Sequence, residues 1–110
     1  MRTLLLLAAL WTAPAMAVDS AAEGKQVFIR VGCYQCHGYA GQGGSAGLKL
    51  APEPLPYDAL STFVRGTTGA MPAYSTTLLP DADLQKIYAY LKSIKKGPSA
   101  DDIPLLKNLQ

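Results

Sequence analysis

The chain has very few side chains that bind metals through sulfur or nitrogen. Its 110 residues include two cysteines and one histidine, and all three lie in the pentapeptide Cys33–His37. A structural zinc site takes four such ligands, typically Cys₄ or Cys₂His₂, and this chain has only carboxylates to complete one. A disulfide between two cysteines three residues apart would close a small, strained loop. Any metal chemistry of this kind is therefore confined to one short segment.

The chain also lacks a charge excess and any basic run. Ten lysines and arginines face eight acidic residues, which gives a net charge of +2 at pH 7. Nucleic-acid binding depends on clustered basic residues, often with aromatic side chains between them, so the composition excludes that partner. Strong electrostatic steering by the net charge is not expected either.

Long hydrophobic runs are absent except for a short one at the N-terminus. Arg2 precedes an apolar stretch over residues 4–11, and Ala15, Met16 and Ala17 form an A-x-A cleavage pattern. The stretch is much shorter than the ~20 residues of a spanning helix, although an uncleaved membrane anchor is the alternative. We expect residues 1–17 to be a cleaved secretory signal peptide. Residues 18–110 would then form one small, soluble exported domain, periplasmic in a bacterium and without stable membrane insertion.

No segment shows the alternation of apolar and polar residues that is typical of a strand, whereas three segments show helical spacing of their apolar residues. Three segments carry apolar side chains at i, i+3, i+4 spacing, namely residues 21–31, 57–65 and 81–96. Asp19 and Ser20 are expected N-caps of the first segment. Glycines and prolines fill the loops, above all between residues 38 and 56. The predicted fold is all-α, with three main helices, long loops and a C-terminal tail over residues 97–110.

The pentapeptide Cys33-Tyr34-Gln35-Cys36-His37 carries the most specific chemical signal in the chain. A C-x-x-C-H run is typical of c-type haem attachment, in which two thiols bond the porphyrin and the adjacent imidazole binds the iron. A thioredoxin-like redox pair also uses C-x-x-C but belongs to a βαβ context, and no strands are predicted here. We therefore predict one covalent haem c, attached through Cys33 and Cys36, with His37 as an axial ligand of the iron.

Met71 is the only methionine after the signal segment, and it is the predicted second axial ligand. A lone methionine is more often core filler than a ligand. This one, however, lies in a loop after Gly69, and Pro72 restricts its backbone to extended conformations. Methionine and histidine together raise the reduction potential of a haem. Because both axial positions would be filled, we expect outer-sphere electron transfer and no catalytic site.

Four motifs spread along the chain share a pattern with a known family. They are Gly24-x-x-x-Phe28, Cys33-Tyr34-Gln35-Cys36-His37-Gly38, Gly69-Ala70-Met71-Pro72-Ala73-Tyr74 and Ile87-Tyr88-Ala89-Tyr90-Leu91-Lys92. With them the chain resembles the class I c-type cytochromes over most of residues 18–110. The resemblance implies that an N-terminal helix crosses a C-terminal helix, with Gly24 permitting their close approach. It also implies that Phe28 meets the apolar side of the second helix, at Ile87, Tyr90 and Leu91.

The chain departs from this family in the loop after the haem motif. Many members carry Gly-Pro-x-Leu there, and the proline carbonyl accepts a hydrogen bond from Nδ1 of the ligand histidine. This chain has Gly47-Leu48-Lys49-Leu50 instead. The carbonyl of Leu48 is expected to take the same role, in a loop that lacks the stiffness of the proline.

Two functions are compatible with such a haem domain. We expect a diffusible one-electron carrier, with a dehydrogenase as donor and an oxidase or another cytochrome as acceptor. The alternative is a haem c subunit that accepts electrons from a bound flavin- or quinone-dependent dehydrogenase. An enzyme or ligand sensor would require Met71 to dissociate. In the tail, Ile103, Leu105 and Leu106 are compatible with docking, although a strap on the same domain or a frayed end is preferred.

Overall fold

The computed structural model describes residues 15–107, with side chains from residue 19 onward. The helices are α1 (Ala15–Arg30), α2 (Cys33–His37), α3 (Tyr57–Gly66) and α4 (Asp81–Ser93), followed by a 3₁₀ turn at Ala100–Asp102. No strand occurs between residues 15 and 107, and the prediction of an all-α fold is confirmed. The predicted signal peptide lies largely outside the described residues, which do not include residues 1–14.

The three predicted main helices correspond to α1, α3 and α4, with differences at their ends. α1 begins at Ala15, so Asp19 and Ser20 lie inside the helix and their prediction as N-caps is wrong. α4 ends at Ser93, three residues before the predicted end at Lys96. The Ser93 hydroxyl donates a 2.7 Å hydrogen bond to the carbonyl of Tyr90, and the next residue is extended. A side chain that bonds a carbonyl of the last turn competes with continuation of the helix.

α1 and α4 cross in close contact at Gly24. A Cβ atom added at this position would collide with the backbone carbonyl of Lys86. One turn further along α1, Phe28 is fully buried and meets Tyr90 edge-on, with ring centroids 5.8 Å apart. The expected helix crossing is confirmed, and the absence of a side chain at Gly24 is what allows it.

The core is a single cluster of apolar side chains between α1, α3, α4 and the loops that join them. Burying each large apolar side chain contributes about 1.5–3 kcal/mol. The buried members are Val27, Phe28, Ala51, Leu60, Val64, Leu79, Leu84, Ile87, Tyr90 and Leu91.

Charged side chains flank the crossing of α1 and α4. Lys86 forms an ion pair with Glu23 at 2.7 Å, and Arg30 pairs with Asp83 at 2.9 Å. Each pair has one side chain that is more than half exposed, so each contributes about 0–1 kcal/mol. They align the two helices, whereas the apolar cluster supplies most of the stabilisation.

The described part of the tail is mostly exposed. Leu105 is 84% exposed, which disagrees with a strap packed on the domain and agrees with the other expectation, a frayed end. Ser99 and Asp102 form a reciprocal capping box around the 3₁₀ turn. Within residues 15–107, no helix has both the length and the apolar character required to cross a bilayer.

Candidate haem site

The haem motif forms α2, which begins directly after the end of α1. Gly32 joins the two helices with φ = 88°, a left-handed conformation that side chains disfavour. Residues three and four apart share one side of a helix, so Cys33, Cys36 and His37 lie on the same side of this short turn. Because the C-x-x-C-H segment is helical, its two thiols and its imidazole extend in a common direction.

His37 is the one buried polar residue of the described core, with 9% of its surface exposed. Its Nδ1 atom donates a 2.7 Å hydrogen bond to the carbonyl oxygen of Leu48, because a carbonyl can only accept. In the neutral ring, Nε2 is then the nitrogen with a free lone pair. The expectation that Leu48 replaces the proline carbonyl of the family pattern is confirmed.

The glycine-rich loop after α2 folds back onto the haem motif. Gly47 lies against Cys36, and a Cβ atom added at Gly47 would be only 2.8 Å from the Cys36 carbonyl oxygen. The amide of Gly43 donates to the carbonyl of His37 at 2.8 Å. These contacts hold the next residue, Leu48, beside the His37 ring, where its carbonyl oxygen reaches Nδ1.

An apolar cavity of about 300 Å³ opens beside His37. Cys33, His37 and Met71 line it, and half of the other lining residues belong to the buried core cluster. A second cavity of about 370 Å³ shares these three residues and adds Cys36. The structure thus brings all four predicted site residues to one pair of adjoining cavities. Such a pair fits a flat, largely apolar porphyrin whose edge is attached through two thiols.

Met71 is half-buried and packs against the edge of the core cluster. Three residues later, the Tyr74 hydroxyl donates a 2.8 Å hydrogen bond to the carbonyl of Val31, at the end of α1. A phenol is a hydrogen-bond donor at neutral pH, and burial raises the pKa of Tyr74 further above its ordinary value. The methionine loop is therefore joined to the segment that leads into Cys33.

The competing uses of the two cysteines fit the structure poorly. Both are free thiols, in disagreement with the disulfide alternative. Burial raises the pKa of the Cys33 thiol to about 11, whereas the attacking cysteine of a redox pair has a lowered pKa. Within residues 15–107, no group of three or more His, Cys, Asp or Glu side chains is placed to hold a metal ion.

The sequence pattern does not reveal the roles of Tyr74, which lines both cavities, and of Arg65, which bonds the loop beside them. Tyr74 belongs to the methionine motif, whereas no motif includes Arg65. The Tyr74 hydroxyl donates to a backbone carbonyl, and Arg65 donates to two backbone carbonyls and to the Asp81 carboxylate. Backbone acceptors leave no trace in the residue pattern, so only the folded chain shows these bonds.

The all-α fold, the C-x-x-C-H turn and the apolar cavity beside His37 together define a c-type cytochrome, an electron-transfer protein that carries haem c. Comparison with known families agrees. Residues 19–91 match the family described as cytochrome c oxidase, cbb3-type, subunit III, and the chain belongs to that family.

One curated relative is similar to part of the chain. The menaquinol:cytochrome c reductase cytochrome c subunit of Bacillus subtilis (strain 168) is 41% identical over 56 residues. The matched part covers 51% of this chain but 22% of that protein. The similarity thus concerns a fraction of the relative. No solved structure matches the chain significantly.

Proposed function

We propose that the chain is a one-electron carrier with one covalent haem c, attached through Cys33 and Cys36 and ligated by His37 and Met71. The observation that carries the proposal is the arrangement around His37. Its Nδ1 donates to the Leu48 carbonyl, and its ring lines one apolar cavity together with Cys33 and Met71. Such a cofactor requires an imidazole with a free Nε2 atom, a thioether and a thiol, and all three groups line this one cavity.

The protein residues have separate tasks in this proposal. The haem supplies the reversible change between ferric and ferrous iron. The Leu48 carbonyl fixes the tautomer and orientation of the His37 ring and makes the imidazole more basic. Core side chains such as Leu60, Val64 and Leu84 surround the cavity with apolar surface, which excludes water and tunes the potential.

Met71 distinguishes a carrier from a ligand-binding or catalytic haem protein. If the Met71 thioether and the His37 imidazole both held the iron, an external ligand would have to displace Met71 to bind there. A methionine ligand also raises the reduction potential. Outer-sphere electron exchange through the cofactor edge is the function that remains.

A test is to express the full chain in a host that attaches c-type haem, and to purify the exported protein. We expect a coloured protein whose mass exceeds that of the polypeptide by one haem, and whose pigment resists extraction with acidified acetone. A colourless protein, or extractable pigment, would contradict covalent attachment. A mass increase of two haems would contradict the count.

The location is a separate part of the proposal. We infer export with cleavage after Ala17, which would remove residues 15–17 from the start of α1 and leave Val18 as the first residue. The support is the basic, apolar and A-x-A pattern of residues 1–17. N-terminal sequencing of the periplasmic protein tests it, because retention of Met1 would indicate an uncleaved anchor.

A second candidate function is a haem c subunit bound to a quinone- or flavin-dependent dehydrogenase. The specific support is that the curated relative is named as the cytochrome c subunit of a menaquinol:cytochrome c reductase. Size-exclusion chromatography of native extract separates the two candidates. Elution as a monomer would contradict the bound subunit, and co-elution with a dehydrogenase would contradict the free carrier.

A further inference from the structure

Arg65 joins three segments of the chain at the end of α3. Its Nη1 atom donates to the backbone carbonyls of Tyr74 and Ser75, at 3.0 and 3.2 Å. Its Nη2 atom donates to Oδ1 of Asp81, the first residue of α4, at 2.7 Å. The Arg65 side chain is only 20% exposed, whereas Asp81 is 66% exposed, so solvent screens the guanidinium itself less than that of a surface arginine.

Two of the three Arg65 acceptors, the carbonyls of Tyr74 and Ser75, come soon after Met71 in the chain, and the third, Asp81, begins α4. Two further hydrogen bonds hold Tyr74. Its amide donates to the Val64 carbonyl at 2.9 Å, and its hydroxyl donates to the Val31 carbonyl. The Met71 backbone can move away from the cavity only if this loop moves with it. The loop cannot move far while Arg65 binds the carbonyls of Tyr74 and Ser75 and the carboxylate of Asp81.

We propose that Arg65 is the positioning residue for Met71, and that it keeps the thioether on the iron by restraining the loop that follows. The inference rests on the proposed role of Met71 as an axial ligand. A guanidinium suits the task because its planar fork can reach several acceptors at fixed angles. A lysine ammonium is a point charge and would restore only part of this geometry.

The test measures how readily an external ligand displaces Met71. Imidazole is titrated into the oxidised holoprotein, and its binding is followed in the visible spectrum. Its apparent affinity scales with the fraction of molecules in which Met71 has left the iron. Loss of one charged hydrogen bond in Arg65→Gln should raise the apparent affinity about tenfold or more. Arg65→Lys should lie between that variant and the wild type.

Lys86→Gln is the matched control. It also removes an ion pair, the one to Glu23 at 2.7 Å, but this pair joins α1 to α4 and does not involve the methionine loop. The affinity for imidazole should stay at the wild-type value. If Lys86→Gln raised it as much as Arg65→Gln did, general destabilisation would explain the effect and the proposal would be wrong.

A double variant separates positioning from any other action of Arg65. In Met71→Ala no thioether needs displacing, so adding Arg65→Gln should leave the affinity of that variant unchanged. An equal rise in both backgrounds would overturn the positioning role. If Met71→Ala alone raises the affinity while Arg65→Gln does not, only the inference about Arg65 fails. If Met71→Ala changes nothing, the ligand assignment itself is wrong. Should Arg65→Gln not accumulate as holoprotein, Arg65→Lys takes its place in every comparison.

Discussion

The Nδ1 atom of His37 lies 2.7 Å from the carbonyl oxygen of Leu48, the acceptor of its hydrogen bond. The two residues come from different segments, the helical haem motif and the glycine-rich loop that follows it. One bond therefore sets the tautomer of the imidazole and prevents its ring from turning. Metal-binding histidines commonly have such a partner, which fixes their orientation and increases their basicity.

The first prediction concerns the glycine that lets this loop approach. Gly47→Ala places a Cβ atom 2.8 Å from the Cys36 carbonyl, so the loop must shift and the bond between His37 and Leu48 should weaken. A less basic imidazole stabilises ferric iron less, and the reduction potential should rise. A loss of about 1 kcal/mol corresponds to roughly 40 mV for one electron. Voltammetry of the holoprotein measures the change.

Gly44→Ala is the control for that substitution. Gly44 lies in the same loop, but its added Cβ atom would be 4.0 Å from the same carbonyl oxygen, an ordinary contact. Its potential should match the wild type. Equal shifts in the two variants would show that the loop does not act through His37.

The second prediction concerns the sixth ligand. Met71→Ala removes the thioether, so the potential should fall and the reduced iron should bind CO. Leu78→Ala, at an exposed position in the same connecting segment, should keep the wild-type potential and stay closed to CO. Voltammetry and CO difference spectra check both. A Met71→Ala variant that behaves like the wild type would rule out ligation by this residue.

The third prediction concerns covalent attachment. Cys36→Ser leaves at most one thioether bond, and haem retention in denaturing gels should weaken or disappear. Gln35→Ala changes the neighbouring exposed residue but keeps the C-x-x-C-H spacing, and it should retain haem fully. Haem staining of the two variants beside the wild type provides the measurement. Loss of haem in both would point to a folding defect.

The fourth prediction concerns the crossing of α1 and α4. Gly24→Ala drives a methyl group into the Lys86 backbone, which cannot move as a flexible side chain would. Overpacking of this kind costs about 1–3 kcal/mol of unfolding free energy, and we expect the upper end. Gly66→Ala, which adds a methyl group with nothing within 4 Å, should leave the stability unchanged or slightly higher. Urea unfolding of the holoproteins compares the two.

The sequence predicted the existence of the helices better than their ends. α3 runs over Tyr57–Gly66, within one residue of its predicted range, because Pro56 and Gly66 bound a clear apolar pattern. Ser93 ended α4 early through a side-chain bond to Tyr90. A side-chain bond to a carbonyl of the last turn competes with continuation of the helix, and the spacing of apolar residues does not indicate the outcome.

The site was predictable wherever its chemistry is local. Cys36 and His37 lie three and four residues after Cys33, so a single helical turn places all three side chains on one side. Every residue has a carbonyl, so the residue type at position 48 does not mark the acceptor for His37. The contact with Leu48 was expected from the resemblance of this loop to that of the family. The part played by Arg65 depends on two backbone oxygens and on Asp81, and nothing in the order of residues marks it.

The sequence by itself determined the cofactor chemistry and the helical class of this protein. Short-range geometry decides whether paired thiols and an imidazole share a direction, and apolar spacing decides whether a segment is helical. The close approach of α1 to α4 and the bond from His37 to the Leu48 carbonyl were expected only from a family resemblance, and the tertiary structure alone decided what restrains the loop after Met71. Those features join residues far apart in the chain, and burial away from water gives their hydrogen bonds and van der Waals contacts their strength.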